Sequence, residues 1–383
     1  MNNRDLDILL MSDNGLNMVG GEQESTKIII NGFKERFLIG VIQPGFINNP
    51  QLGVRYFELT KYTRVKHLIK RPIAFMKYLF EIRKIISTSK PKIIHTQAQV
   101  SFFMVALLKK FHLISKDVYL IHTERGLYTK YNIFFKYIFF FFMRELDTLV
   151  TTTEFNMKYW NEALEKREFT LDYRIIENTA GELFEKFDES LNTNDQKKMT
   201  IGFAGRYCSW KNWPLAIDIS MKINDIIGDK VNVKMAVGCL DEAAIKETEK
   251  MFFKLNNTFG DRFEGKINSN IEEMDDFYYS IDVFILTSNH NTESFGRTLV
   301  EAMSRKTVVL TTNAGGSVEV VGDTNNVYKT ADEFVERIIR YIDDKETMNI
   351  EKERNFQRVK NVYSLENNLS KHNKMYVEIF NDV

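Results

Sequence analysis

Short apolar runs alternate with amphipathic stretches along most of the chain. The stretch Pro72–Ser87 starts with proline and repeats its apolar residues at helical spacing, which predicts a helix. The predicted strands of the first half are Asp7–Met11, Arg36–Ile42, Lys92–His95, Val118–His122, Thr148–Thr152 and Arg174–Glu177. Strands that alternate with helices in this way predict a doubly wound parallel sheet.

A polar stretch, Asp188–Lys198, interrupts the alternation and reads as a linker. The predicted strands after it are Thr200–Ala204, Val231–Val237, Arg262–Glu264, Val283–Thr287 and Thr307–Thr311. The predicted helices are Trp213–Ile227, Ala243–Leu255, Ile271–Tyr279, Gly296–Ser304 and Ala331–Asp343.

The sequence therefore predicts two facing Rossmann-like domains. The first covers residues 1–185 and the second residues 186–364, and a helix over about residues 365–383 can pack back on the first. Ligands of open parallel sheets bind beyond the carboxyl ends of the strands, so the cleft between the domains is the expected site.

Composition narrows the class of protein. The 383 residues include 52 Lys and Arg and 52 Asp and Glu, so the net charge is zero. The overall charge therefore does not indicate a nucleic acid partner. The two cysteines, Cys208 and Cys239, have no metal-ligand spacing, and they fit a reduced, cytoplasmic setting. The N-terminal residues do not form a signal-peptide pattern. The most apolar window, Ile133–Met143, is shorter than the about 20 residues that cross a bilayer.

The charge is unevenly distributed. Residues 61–92 contain ten Lys and Arg and a single acid, Glu81. Such a segment is either a solvated face or a contact to an anionic membrane, and we expect a peripheral contact to the inner face of the plasma membrane. The aromatic residues 134–142 favour a buried core helix over a membrane anchor.

The segment Glu293–Glu301 holds the most informative chemistry. It follows a predicted strand, and Gly296 permits a tight turn into a helix whose early residues include Glu301. A carboxylate there can accept hydrogen bonds from two neighbouring hydroxyls, as a ribose or a hexose presents. Two glutamates at this spacing are also common on solvated surfaces. The glycine turn, with a predicted strand before it and another after it, favours a binding site.

Two further segments follow the first strand of each domain. Arg206 and Lys211 come after the strand that opens the second domain, where they could stabilise the charge of a diphosphate leaving group or be ordinary surface cations. Gly20 and Gly21 follow the first strand of the chain and can bring backbone amides close to a phosphate or form a plain turn.

Two histidines and a second glycine pair are weaker candidates. His95 and His122 both end predicted strands, where a histidine can assist proton transfer or make a structural hydrogen bond. Gly315 and Gly316 begin the segment GGSVE, which can line the same cleft or form a turn.

Taken together, these segments resemble the retaining family-4 glycosyltransferases of the GT-B fold. The resemblance runs in order through Gly20-Gly21, His122, the turn at Asn178, the Arg206…Lys211 segment and the E-x7-E motif ending at Glu301. The ESFG turn and the AGGSVE segment after it are its most specific parts.

The resemblance implies roles for single residues. Glu293 faces the hydroxyls of the donor sugar, Glu301 binds the ribose of the nucleotide, and Arg206 and Lys211 hold the diphosphate. His122 borders the sugar and the acceptor. Further donor contacts are implied for Gly20, Gly21, Asn178, Phe295, Gly296 and Arg297.

The implied reaction moves a hexose-type sugar from a UDP- or GDP-linked donor to a glycan or lipid-linked acceptor, with retention of configuration. Front-side attack is implied, with the leaving phosphate helping to deprotonate the acceptor. No cofactor and no bound metal are implied, and cell-surface polysaccharide or glycolipid biosynthesis is the expected setting.

The sequence departs from the family pattern at three places. Asn212 and Thr179 stand where glycines are usual, and Glu24 stands where basic residues are common. Two alternatives stay open: a sugar-nucleotide epimerase of the same fold, and a non-catalytic partner subunit of a transferase. The E-x7-E motif in an ESFG turn favours the transferase over the epimerase. Retention of both glutamates and of the Arg/Lys pair argues against the non-catalytic subunit.

Overall fold

The chain forms two compact α/β units. A computed structural model describes residues 5–18, 20–192 and 198–382. Unit 1 comprises residues up to Glu177 and those from Asn368 onward, and unit 2 comprises Asn178–Asn367. Residues 193–197 of the predicted linker lie outside the described part.

Unit 1 is built on a seven-stranded parallel sheet in the order β3-β2-β1-β4-β5-β6-β7. Its strands are β1 (Ile8–Met11), β2 (Ile39–Gln43), β3 (Arg55–Glu58), β4 (Ile93–Thr96), β5 (Tyr119–Glu124), β6 (Thr148–Thr151) and β7 (Asp172–Ile175). Its helices up to this point are α1 (Gly21–Phe33), α2 (Lys66–Ile69), α3 (Pro72–Ser89), α4 (Gln99–Lys110), α5 (Ile133–Met143) and α6 (Glu154–Glu165).

The two faces of this sheet bury different helices. Helices α3, α4 and α5 pack into one hydrophobic cluster against alternate strand residues such as Leu9 and Leu120. Helix α1 packs with neighbours such as Ile8 and Ile121 on the opposite face. This alternation follows from the two-residue period of a strand.

Unit 2 has a six-stranded parallel sheet in the order β10-β9-β8-β11-β12-β13. Its strands are β8 (Met199–Arg206), β9 (Val231–Gly238), β10 (Phe263–Ile267), β11 (Val283–Leu286), β12 (Val308–Thr312) and β13 (Val327–Tyr328). Its helices are α7 (Trp213–Ile227), α8 (Glu242–Phe259), α9 (Ile271–Tyr279), α10 (Arg297–Met303), α11 (Gly316–Val321), α12 (Ala331–Asp343) and α13 (Lys345–Arg358), and a π-helical turn spans Val359–Tyr363.

The predicted fold class, two Rossmann-like doubly wound parallel sheets, is confirmed. In each sheet the strand order reverses once, between β1 and β4 in unit 1 and between β8 and β11 in unit 2. Such a reversal opens a crevice at the carboxyl ends of the strands, which is where ligands of this architecture bind.

The boundary between the units lies before the predicted linker Asp188–Lys198, because the residues from Asn178 onward already pack in unit 2. The backbone N–H of Asp188 donates to the Tyr279 hydroxyl at 2.8 Å, and the carbonyl of Phe184 accepts from the buried Arg305. The last helix, α14 (Leu365–Asp382), belongs to unit 1 from Asn368 onward.

Helix α14 packs closely on α1. Its buried Met375, Tyr376 and Ile379 join the cluster of α1 and the sheet. A Cβ on Gly32 of α1 would lie 2.4 Å from a methyl carbon of Leu369, so a larger residue here would require the Leu369 side chain to shift.

The aromatic sequence of helix α5 led us to expect a helix buried on all sides. The structure instead exposes one side of it. Phe139 and Met143 are fully buried, while Phe134 and Tyr137 are well exposed. Among the described residues, no helix is both long and apolar enough to span a bilayer.

Candidate functional site

Arg206 and Lys211 lie at the switch point of the unit 2 sheet. Arg206 is the last residue of β8 and is exposed, and Lys211 ends a short 3-10 turn that follows. The stem of Lys211 passes over Gly205, where an added Cβ would lie 3.4 Å from its Cδ. Its carbonyl accepts from the Thr287 hydroxyl at 2.9 Å, which ties the turn to the end of β11.

Glu293 meets Lys211 directly. The Nζ of Lys211 lies 2.8 Å from Oε1 of Glu293, and each side chain is only 14% exposed. The hydroxyl of the buried Ser288 donates to the same oxygen at 2.6 Å. The ammonium and the hydroxyl together fix one orientation of this carboxylate.

The backbone of Glu293 is held by the loop after β12. Its N–H donates to the Ala314 carbonyl at 2.8 Å, and its own carbonyl accepts from the Gly316 N–H at 2.9 Å. Loops after β8, β11 and β12 therefore converge on this residue. The predicted GGSVE segment forms the short helix α11 here, with Gly315 at a φ of 107° just before it.

Glu301 sits on α10, with a buried tyrosine as its partner. The hydroxyl of Tyr278 on α9 donates to Oε2 of Glu301 at 2.7 Å. Burial, and then the charge of Glu301, raise the pKa of Tyr278 far above its ordinary value, so the phenol remains a donor. Glu301 is itself half-buried.

The turn into α10 adopts the predicted geometry. Gly296 precedes the helix with a φ of 95°, a conformation that favours glycine. Phe295 points into the core, where its ring meets Tyr363 edge-on at 5.5 Å and anchors the turn. Arg297 is the half-buried first residue of the helix.

Asn212 explains how one departure from the family pattern is accommodated. Its φ and ψ are both 51°, the left-handed conformation that glycine adopts most easily. Asparagine tolerates this region better than most other residues. The backbone path after Lys211 is thus one that a glycine would also follow.

In unit 1, Gly20 and Gly21 lie at the start of α1, with Gly21 as its first helical residue. The carboxylate of Glu22 ties this start to the loop after β1. It accepts from the Ser12 hydroxyl at 2.5 Å, the Asp13 N–H at 2.8 Å and the Asn14 amide at 2.6 Å.

His122 lies inside unit 1 rather than on its surface. The residue is fully buried in β5, its ring stacks on Phe102 at 4.6 Å, and its Nδ1 lies 3.0 Å from the Thr96 hydroxyl. His95 is equally buried between the hydroxyls of Tyr376 and Thr123. Burial holds the pKa of His95 well below its ordinary value, as expected of a structural histidine.

The structure brings the Lys211 and Glu293 side chains into contact and gives Glu301 a buried donor. Asn178 is the half-buried first residue of unit 2. Sequence reasoning missed Tyr278 and Ser288, although it placed both elements that carry them. In the part of the chain that the structure describes, no group of three or more His, Cys, Asp or Glu could hold a metal ion.

Comparison with known proteins agrees with this geometry. Residues 184–358 match the family model of glycosyl transferases group 1. The matched residues span most of unit 2. The chain is also 26% identical over 332 residues to the capsular polysaccharide biosynthesis glycosyltransferase CapM of Staphylococcus aureus, covering 80% of this chain and 83% of CapM. The chain is accordingly a glycosyltransferase.

Two solved structures share the fold over nearly the whole chain. Sucrose-phosphate synthase from Thermosynechococcus elongatus superimposes with a TM-score of 0.80 at 15% identity, over 98% of this chain and all of that one. HepE from Anabaena, solved in complex with UDP-glucose, superimposes with a TM-score of 0.71 at 15% identity, over 99% and 100% of the two chains. The chain thus has the GT-B fold.

Proposed function

We propose that this glycosyltransferase moves a hexose-type sugar from a nucleotide-sugar donor to a glycan or lipid-linked acceptor, with retention of anomeric configuration. The contact between Lys211 and Glu293 carries the proposal. It joins the cationic segment after β8 to the acidic segment after β11, at the switch point where a parallel sheet binds its ligand.

The cations suit a diphosphate leaving group. A lysine ammonium has three donors, so Lys211 can keep one on Glu293 and offer others to phosphate oxygens. Arg206 stands exposed at the end of β8, just before the turn that carries Lys211, and can add a bidentate contact. Negative charge grows on the phosphate as the glycosidic bond breaks, and fixed cations stabilise that state most.

Glu301 is the proposed ribose ligand. A carboxylate oxygen can accept more than one hydrogen bond, so the Tyr278 contact leaves capacity for ribose hydroxyls. The buried phenol holds the carboxylate in one orientation before the nucleotide arrives. The positions of Gly296 and Arg297 at the same turn support donor contacts there.

The proposed chemistry follows from these placements. Glu293 accepts hydrogen bonds from hydroxyls of the donor sugar. The acceptor oxygen bonds to the anomeric carbon on the face that the phosphate leaves, and the acceptor proton passes to a phosphate oxygen. The protein orients both substrates and stabilises the diphosphate, and the proposal assigns no step to a metal.

The similarity to CapM supports an envelope polysaccharide or its lipid-linked precursor as the acceptor. The UDP-glucose complex of HepE makes UDP the first nucleotide to test. We also propose that the enzyme works in the cytoplasm against the inner face of the plasma membrane, where its basic residues 61–92 contact anionic lipid.

Substitution of Glu301 tests the nucleotide site. Glu301→Ala should weaken binding of UDP, or of GDP if the wild type prefers it, by about 1–3 kcal/mol in calorimetry. Glu249→Ala, on an exposed position of α8, is the matched control and should bind as the wild type does. Equal affinity in the two variants would remove Glu301 from the ribose role.

Product analysis tests the reaction class. Wild type incubated with a sugar nucleotide and membrane-derived acceptor should release the nucleoside diphosphate. An epimerase would instead return an altered sugar nucleotide, and a non-catalytic subunit would return the donor unchanged. Either of those results would overturn the proposed transfer.

A further inference from the structure

Helix α5 exposes a stripe of large apolar side chains. Ile133, Phe134, Tyr137 and Phe141 lie on one side of the helix and are between 51% and 72% exposed. The opposite side, including Phe139, is buried in the core of unit 1. Burial of the core side fixes the helix in place and leaves the aromatic stripe facing outward.

Neighbouring helices of the same layer also carry exposed apolar side chains. Helices α3, α4 and α5 pack on one face of the sheet into a single hydrophobic cluster. The outward residues of α3 include the exposed Ile73, Met76 and Phe80, and Phe111 is exposed just after α4. Exposed apolar residues grouped on one layer mark an interaction surface more strongly than scattered ones do.

Cations outnumber acids around the stripe. The segments 99–116 and 126–144 contain no acidic residue, and they carry Lys110, Lys130, Lys136 and Arg144 among their cations. The Nζ of Lys110 lies 4.4 Å from the centre of the Phe141 ring. Glu145, the first acid after α5, is paired with Lys110 at 3.6 Å.

We propose that the outer face of this layer, centred on Phe134, Tyr137 and Phe141, is an interfacial anchor that inserts into an anionic lipid bilayer. Aromatic and aliphatic side chains enter the boundary of the acyl chains, while Lys and Arg remain at the level of the phosphates. A surface that is apolar and carries more cations than acids complements a negatively charged bilayer.

The anchor deepens the proposed membrane contact, on which it rests, by adding an apolar component to the electrostatic one of residues 61–92. The first residue of α5 follows β5 by a short connection, so this end of the helix lies toward the carboxyl edge of the unit 1 sheet. Ligands of this sheet bind at that edge. Insertion there would bring the edge close to a lipid-linked acceptor.

Vesicle co-sedimentation tests the anchor. The probes are vesicles of phosphatidylcholine alone and of equal parts phosphatidylglycerol and phosphatidylcholine. The triple variant Phe134→Gln, Tyr137→Gln, Phe141→Gln should partition into the anionic vesicles at least about tenfold less than the wild type, because it loses apolar area that the bilayer would bury. Phe253→Gln, at an equally exposed phenylalanine of α8 in unit 2, is the matched control and should partition as the wild type does.

The salt dependence of vesicle binding distinguishes insertion from a purely electrostatic contact. Residual binding of the wild type to anionic vesicles at high salt, absent in the triple variant, is the expected mark of insertion. Wild-type partitioning of the triple variant would overturn the anchor and leave the electrostatic contact standing. Failure of the wild type to bind either vesicle would overturn both membrane proposals.

Two further measurements distinguish the anchor from a self-association surface and from a failure of the donor site. If sedimentation velocity shows a wild-type dimer that the triple variant converts to monomer, with vesicle binding unchanged, the face is a self-association surface and the anchor is overturned. Nucleotide binding by the triple variant should equal that of the wild type, since α5 lies in unit 1 and the proposed donor ligands Glu293 and Glu301 lie in unit 2.

Discussion

Tyr278 gives the sharpest test of how the donor site is held together. Its hydroxyl donates to Glu301 at 2.7 Å from a fully buried position. Tyr278→Phe keeps the ring in the core and removes only this donor. A hydrogen bond of this kind contributes about 0.5–1.5 kcal/mol, so nucleotide affinity should fall roughly twofold to tenfold if the phenol orients Glu301 for the ribose.

Unit 2 offers a matched control in Tyr341. This buried tyrosine also donates to a glutamate, Glu351, at 2.5 Å, and it lies on α12. In urea denaturation, both Tyr→Phe variants should have a lower free energy of unfolding than the wild type. The loss should be about 1–3 kcal/mol where a buried carboxylate is left without its tyrosine donor. Only Tyr278→Phe should lose nucleotide affinity in calorimetry.

A double-mutant cycle distinguishes positioning from a structural effect. In a Glu301→Ala background, Tyr278→Phe should change nucleotide affinity no further, because its effect passes through that carboxylate. If Tyr278→Phe binds nucleotide as the wild type does, or if its effect is equal with and without Glu301, the reasoning is refuted.

Three other changes have definite expected results. Lys211→Ala should lower turnover roughly a hundredfold or more while nucleotide affinity falls much less, since the ammonium acts on charge that develops in the transition state; loss of affinity alone would contradict this role. Asn212→Val should cost about 1–2 kcal/mol in urea denaturation because its φ is 51°, whereas Asn212→Gly should be close to neutral; equal stability of the two would be inconsistent with the left-handed turn. Burial, and then the nearby Glu22, raise the pKa of Asp13 from 3.8 to about 6, so the unfolded chain loses this proton first as pH rises. The free energy of unfolding should therefore fall across that interval by on the order of 3 kcal/mol, and Asp13→Asn should flatten this slope in denaturation measured against pH.

Long periodic elements could be predicted closely from the sequence. The bounds of Trp213–Ile227, Ile271–Tyr279 and Ala331–Asp343 coincide with α7, α9 and α12. Their apolar spacing, and the capping residues Asn270 and Thr330 before the last two, identify such helices without tertiary information.

Two of the four edge strands, β3 and β13, could not be predicted. The strand β3, Arg55–Glu58, is a half-exposed edge of four residues without apolar alternation, and β13 has only two residues. Pairing with an adjacent strand, rather than local pattern, decides both. Helix α5 shows a similar limit, because a sequence that is apolar on every side cannot indicate which side is exposed.

The positions of the candidate site residues could be predicted, and their partners could not. Strand ends and the glycine turn pointed to Lys211, Glu293 and Glu301, since the carboxyl edge of a parallel sheet gathers such residues. Ser288 and Tyr278 act through single hydrogen bonds across the fold. Nothing in the local sequence distinguishes Tyr278 from other core tyrosines.

A crystal structure with bound nucleotide tests the central claim most directly. The nucleotide is UDP or GDP, whichever raises the melting temperature more. We expect its diphosphate within hydrogen-bond distance of Arg206 and Lys211 and its ribose hydroxyls on Glu301. A nucleotide bound away from these three residues would contradict the proposed donor site.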